Sequence, residues 1–137
     1  MCYDRLVASF QFSNRRPKES EWLVADTDGW TIAHYFAQRQ VMPVDFEHWA
    51  VADVEGITAA HAAASAGKLP KGFNQWMLRD GLGNTVAHYA VRSKHYDIHD
   101  FNQEIMKAVN KAGVSVWNQV QEHAKQKLEK LKEVLVD

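Results

Sequence analysis

From Trp22 onward the hydrophobic pattern cycles. An aromatic residue, a short alternating stretch, a polar stretch with a central glycine and a run of small and apolar residues follow in the same order three times. The first copy is WLVADTDGWTIAHYFAQRQVMPVDFEH from Trp22, the second WAVADVEGITAAHAAASAGKLPKGFNQ from Trp49, and the third begins WMLRDGLGNTVAHYAVRSKHYDIHDFNQ at Trp76, an offset of 27 residues. Six columns are identical in all three: Trp22/Trp49/Trp76, Asp26/Asp53/Asp80, Gly29/Gly56/Gly83, Thr31/Thr58/Thr85, Ala33/Ala60/Ala87 and His34/His61/His88. Rare residues repeating at one offset mark an internal repeat.

The columns predict elements. In D-x-x-G-x-T, aspartate can bond the backbone two residues on, glycine permits positive φ, and threonine can cap the helix that follows. Thr-x-Ala-His-x-x-Ala then places small residues one turn apart, as at Ala33 and Ala37 or Ala60 and Ala64, which lets helices stack closely. The helix breaks near Gln40, or at Gly67 in the second copy. Pro43 and Pro70 suit the first position of a second short helix, on which Phe46 with Trp49 and Phe73 with Trp76 form buried i,i+3 pairs. Each copy is thus expected to be a turn and two antiparallel helices. One such unit cannot bury its faces alone, so the units must stack into a solenoid.

The flanks read as caps. Asp4 to Phe12 fits a helix with Leu6, Val7, Phe10 and Phe12 inward, and Pro17 to Glu21 mirrors the short second helix. Ile98, Phe101, Ile105, Ala108/Val109 and Ala112 form a stripe that predicts a full-length second helix in the third copy, capped by Asp97 and stopped at Gly113. Ser115 can cap a last helix with Trp117, Val120, Ala124, Leu128, Leu131 and Leu135 on one side. With about three heptads, packing on the final repeat is favoured over self-association, so a monomer is expected. The whole is one all-α domain: a capping segment 1–21, repeats 22–48, 49–75 and 76–103, and a helical extension 104–137.

DTDGWTIAHYFA, DVEGITAAHAAA and DGLGNTVAHYAV resemble the D-x-x-G-x-T-P-L-H-x-A-A of ankyrin repeats, with the family's G-x-L step at Gly67–Leu69 and its usual repeat ending in AVNKAGVSVW. The resemblance covers about residues 22 to 113 and implies an ankyrin-like solenoid in which His34, His61 and His88 tie adjacent repeats by hydrogen bonds. It departs from the family at Ile32, Ala59 and Val86, which stand at the proline position, and in a period shorter than the usual 33 or so.

Composition narrows the function classes. Of 137 residues, 46% are apolar, enough for a continuous core. A net charge of -1 gives no field toward nucleic acid or an anionic membrane. Nucleic-acid binding would have to rely on Arg15, Arg16 and Lys18, or on the lysines at 125, 127, 130 and 132, which are interleaved with Glu122, Glu129 and Glu133 as on a solvated helix face. No apolar run reaches the roughly 18 residues of a membrane span, and Asp4, Arg5, Gln11 and Asn14 interrupt any signal-peptide core. A lone cysteine, Cys2, permits no internal disulfide; a cytoplasmic location is expected.

Catalysis has no motif behind it. Cys2 sits in a terminal segment, no serine lies in a G-x-S-x-G elbow, and Gly81 and Gly83 belong to the repeat turn with no G-K-[ST] following. Histidines one repeat apart lie about 8 to 10 Å from one another, too far to share a zinc ion. His95 and His99, with Asp97 and Asp100, have the spacing closest to a metal site, and a small metal- or ligand-binding protein using that region is the alternative function. His48 and His123 read as surface residues. No catalytic, cofactor or metal residue is therefore expected.

What remains is protein binding by a stand-alone adaptor or stoichiometric inhibitor. A virus- or mobile-element-borne inhibitor of a host enzyme also suits a compact binder, but no residue speaks for it. In a solenoid the turn tips and first helices line the concave side, and residues that vary between copies are candidates: Asp28 and Trp30, Glu55 and Ile57, Leu82 and Asn84, with Arg39 and Arg92 at helix ends. Trp30, Ile57 and Leu82 stand out, since a solvated turn has no folding need for large apolar residues. For Trp30 the competing reading is that it folds back over the preceding turn as packing.

Overall fold

In the computed structural model, residues 3–13 and 16–136 are described, residue 13 and the last four by backbone alone. The fold is helical: α1 (Tyr3–Ser13), α2 (Ile32–Arg39), α3 (Ala59–Ala66), α4 (Val86–Arg92), α5 (Gln103–Lys107) and α6 (Val116–Val136), with 3₁₀ turns at Glu19–Glu21 and Ile98–Asp100 and no strands among the described residues. Among the described residues no helix is long and apolar enough to cross a membrane.

Each repeat starts α2, α3 or α4 in the same way. The Thr31, Thr58 and Thr85 hydroxyls accept the backbone N–H of His34, His61 and His88, which fixes the first turn. Ala33, Ala37, Ala60, Ala63, Ala64, Ala87 and Ala90 are buried, so α2 packs on α3, α3 on α4, and α4 on α6. α1 lies against α2 through Leu6 and Phe10; Phe12, expected inward, is 91% exposed.

The expected second helix does not form in the first two copies. The chain from Pro43 to Trp49 is a series of turns, with Phe46 N–H donating to the Pro43 carbonyl, and Phe73 donates likewise to Pro70. Gly72, at φ +82°, forbids a helix there, and so short a segment cannot repay helix nucleation in either copy. Aromatic rings fill the space instead. Trp22, Phe46, Trp49, Phe73, Trp76 and Phe101 form an unbroken series of edge-to-face contacts with centroids 5.0–5.4 Å apart. Each pair of this kind adds about 0.5–1.5 kcal/mol beyond its burial.

The third copy also departs from expectation. Asp97 caps only the 3₁₀ turn, Phe101 is extended to reach Trp76 and Tyr96, and Asn102 starts α5 by accepting the N–H of Ile105. Ile98 and Val109 are left exposed. Gly113 does not stop a helix. It sits at φ +81° in a fourth turn, closed by an antiparallel bridge between Val109 and Ser115 like those at Ala25–Thr31, Ala52–Thr58 and Arg79–Thr85. The segment read as an extension thus opens with another turn-and-helix unit, in which Ser115 caps α6 as expected. α6 packs through Val116 and Val120, whereas Trp117, Ala124, Leu128 and Leu131 of the expected inward stripe are exposed. Cys2, Arg15 and the side chain of Leu135 lie outside the described residues.

Candidate functional site

The turns are built from their aspartates. One Asp26 carboxylate oxygen accepts the N–H groups of Asp28 and Trp30, both at 2.9 Å. Asp53 and Asp80 repeat the pattern at 2.9 Å, and Asn110 reproduces it at 3.0 Å with its amide oxygen. The tips then join one another: Val54 N–H donates to the Asp28 carbonyl at 3.0 Å, Gly81 to Glu55 at 2.8 Å, and Lys111 to Leu82 at 2.9 Å. Asp28, Glu55 and Leu82 therefore stand in one row along an edge of the molecule.

A histidine beneath each of the first three tips locks the row. The Thr31 N–H points at His34 Nδ1, so Nδ1 accepts and the ring proton sits on Nε2, which donates to the Ile57 carbonyl at 2.7 Å. His61 donates to Asn84 at 2.9 Å and His88 to Val114 at 3.0 Å in the same tautomer. Every imidazole joins its own helix cap to the turn of the following unit. Burial lowers all three pKa values below the ordinary 6.5, and a proton added to Nδ1 would face an N–H donor.

The candidate residues separate on this frame. Leu82 is 69% exposed, and Val54, beside Glu55, is 73% exposed. Asp28 and Glu55 are exposed, and with Trp30 and Val54 they line a groove of about 330 Å³ between the first two tips. Trp30 is half-buried, its ring 4.4 Å from that of His34, so it packs and lines the groove at once. Ile57 is half-buried and supplies the carbonyl that His34 binds. Asn84 leaves the set. It is 4% exposed, its amide donates to Asp80, and its oxygen accepts from Asn110, so it clamps neighbouring turns. Arg39 and Arg92 are exposed over the rings of Tyr35 and Tyr89, at the ends of α2 and α4 remote from the tips, roughly 12 Å along a helix of this length.

The other histidines are placed differently from expectation. His48 is half-buried against Trp22 and Phe46 and meets Glu19 at 3.3 Å, and His123 meets the Tyr96 hydroxyl at 2.9 Å, so neither is a free surface residue. His95 and His99 are exposed, and His99 Nδ1 lies 2.8 Å from Asp97, already occupied as a cap. Among the described residues the group of three histidine and acidic side chains whose ligand atoms converge within 4.8 Å is instead Glu19, Glu47 and His48, a grouping across the first repeat that no local spacing announces. No protein-family model matches the chain, and no curated protein matches it.

Proposed function

We propose that this chain is a non-catalytic protein-binding module, an ankyrin-like stack of repeats that holds a partner protein along its row of turn tips as an adaptor or stoichiometric inhibitor. One observation carries the reading: the Val54 and Leu82 side chains project into water from tips that aspartate and inter-tip backbone hydrogen bonds already close. Folding does not require them there. Beside them stand the Asp28 and Glu55 carboxylates and the face of Trp30 in one groove, which favours a partner surface that brings a basic rim to an apolar centre.

The test begins with a partner captured by the intact chain from its source cells, crosslinked and identified. Binding is then measured with the purified pair. Val54→Ser with Leu82→Ser should leave the melting temperature near that of the parent and weaken binding by about 2 kcal/mol, roughly thirtyfold. Unchanged affinity places the contact elsewhere and overturns the reading. A collapse in melting temperature would make the tips packing elements and overturn it equally.

A further inference from the structure

The C-terminal helix carries a second surface, distinct from the exposed tip residues Val54 and Leu82. Among the described residues, α6 buries Val116 and Val120 near its start, and His123 meets the Tyr96 hydroxyl. Trp117, Ala124, Leu128 and Leu131, spaced by seven, four and three residues, share another stripe of the helix, and Trp117, Leu128 and Leu131 are 45%, 55% and 55% exposed. Trp117 stands two residues after the capping Ser115, the position at which the three preceding units carry the fully buried Ala33, Ala60 and Ala87. A tryptophan there is not needed for stacking. Its ring lines an apolar groove of about 620 Å³ between α5 and α6, together with Phe101 and Met106, so the stripe begins in a pocket.

Charge selects the occupant. On a helical wheel Lys125 and Lys132 flank the stripe on one side and Lys127 on the other, while Glu122 and Glu129 fall toward the back of the helix. A second molecule of this chain, in either orientation, would bring those lysines against their own equivalents. We propose that α6 and the groove at its base dock an amphipathic helix of a partner protein whose apolar stripe is flanked by glutamate or aspartate, with a large apolar side chain seated beside Trp117.

Two synthetic helical peptides of about three heptads test this, both with leucine at the core positions, one flanked by glutamate and the other by lysine. In calorimetry with the full chain, the glutamate-flanked peptide should bind one to one, at least about tenfold more tightly than the lysine-flanked one, and should weaken as salt is raised. Leu128→Ala with Leu131→Ala should cost at least about tenfold in affinity, whereas Val54→Ser with Leu82→Ser should change nothing, which separates this surface from the tips. Should the alanine pair unravel α6, Lys125→Glu, Lys127→Glu and Lys132→Glu together keep the stripe and should reverse the preference between peptides. Absence of binding, equal binding of both peptides, or a preference that survives the charge reversal overturns the proposal. So does sedimentation of the unliganded chain as a dimer that Leu128→Ala and Leu131→Ala dissociate, which would make a second molecule the occupant.

Discussion

Gly56 and Gly113 occupy equivalent turn positions at the same φ of +81°, yet their surroundings differ. A Cβ on Gly56 would stand 2.6 Å from the backbone nitrogen of Gly81, whereas one on Gly113 meets nothing within 4 Å. Left-handed backbone alone costs an alanine about 1–2 kcal/mol. Gly113→Ala should lose about that much in urea unfolding, and Gly56→Ala distinctly more, because two backbones must part; equal losses would contradict the close approach. His61 makes a comparable point with polar atoms. His61→Ala removes the bonds to Thr58 and to the Asn84 carbonyl, each worth about 1–3 kcal/mol once a buried partner is left unpaired, and should lower the melting temperature accordingly. These roles were legible from the identity of the columns, since aspartate, glycine, threonine and histidine at fixed spacing admit few arrangements. Asn84 was not legible. Variation between copies suggested a partner-facing residue, but the Asn84 side chain is taken up by Asp80 and by Asn110 of the following turn.

At the level of elements, the helices α2, α3 and α4 and their caps follow from the sequence, and the missing second helices do not. Phe46 and Trp49 share a face in a helix, but they also meet edge-on in a chain of turns, as they do here at 5.4 Å. Spacing alone does not distinguish the two, and Gly72 was the local sign that favoured turns in the second copy. The aromatic series bears the packing that a helix would otherwise supply. Trp49 is central to it, 1% exposed, with Phe46 on one side and Phe73 on the other. Trp49→Ala should therefore cost about 3–5 kcal/mol, read as a shift in the denaturant midpoint. A loss below about 1 kcal/mol would mean that the neighbouring rings close over the gap. The fourth unit does not stand out in the sequence, because its asparagine, serine and methionine stand where the others have aspartate, threonine and tryptophan, and its offset is 30 residues from Asp80 to Asn110.

Over the whole molecule the three buried histidines set a pH dependence. Their folded values lie below the ordinary 6.5, so as pH falls the unfolded chain takes up protons first. Stability is fully present above pH 6.5 and is lost as pH descends from there through the folded values. Melting temperatures from about pH 7.5 to about pH 5 should fall with a slope that His61→Ala reduces, and a flat profile would exclude the neutral tautomers. The histidine bonds also run one way. Each imidazole belongs to one unit and spends its Nε2 proton on the next, never on the one before. The molecule therefore has a head and a tail. Removing units from the C-terminal side strands an N–H donor inside what is left, while removing them from the N-terminal side takes the donor away with its unit. Shortening is costlier from one end than from the other, and a whole unit inserted between its neighbours would find its donor and its acceptor both waiting.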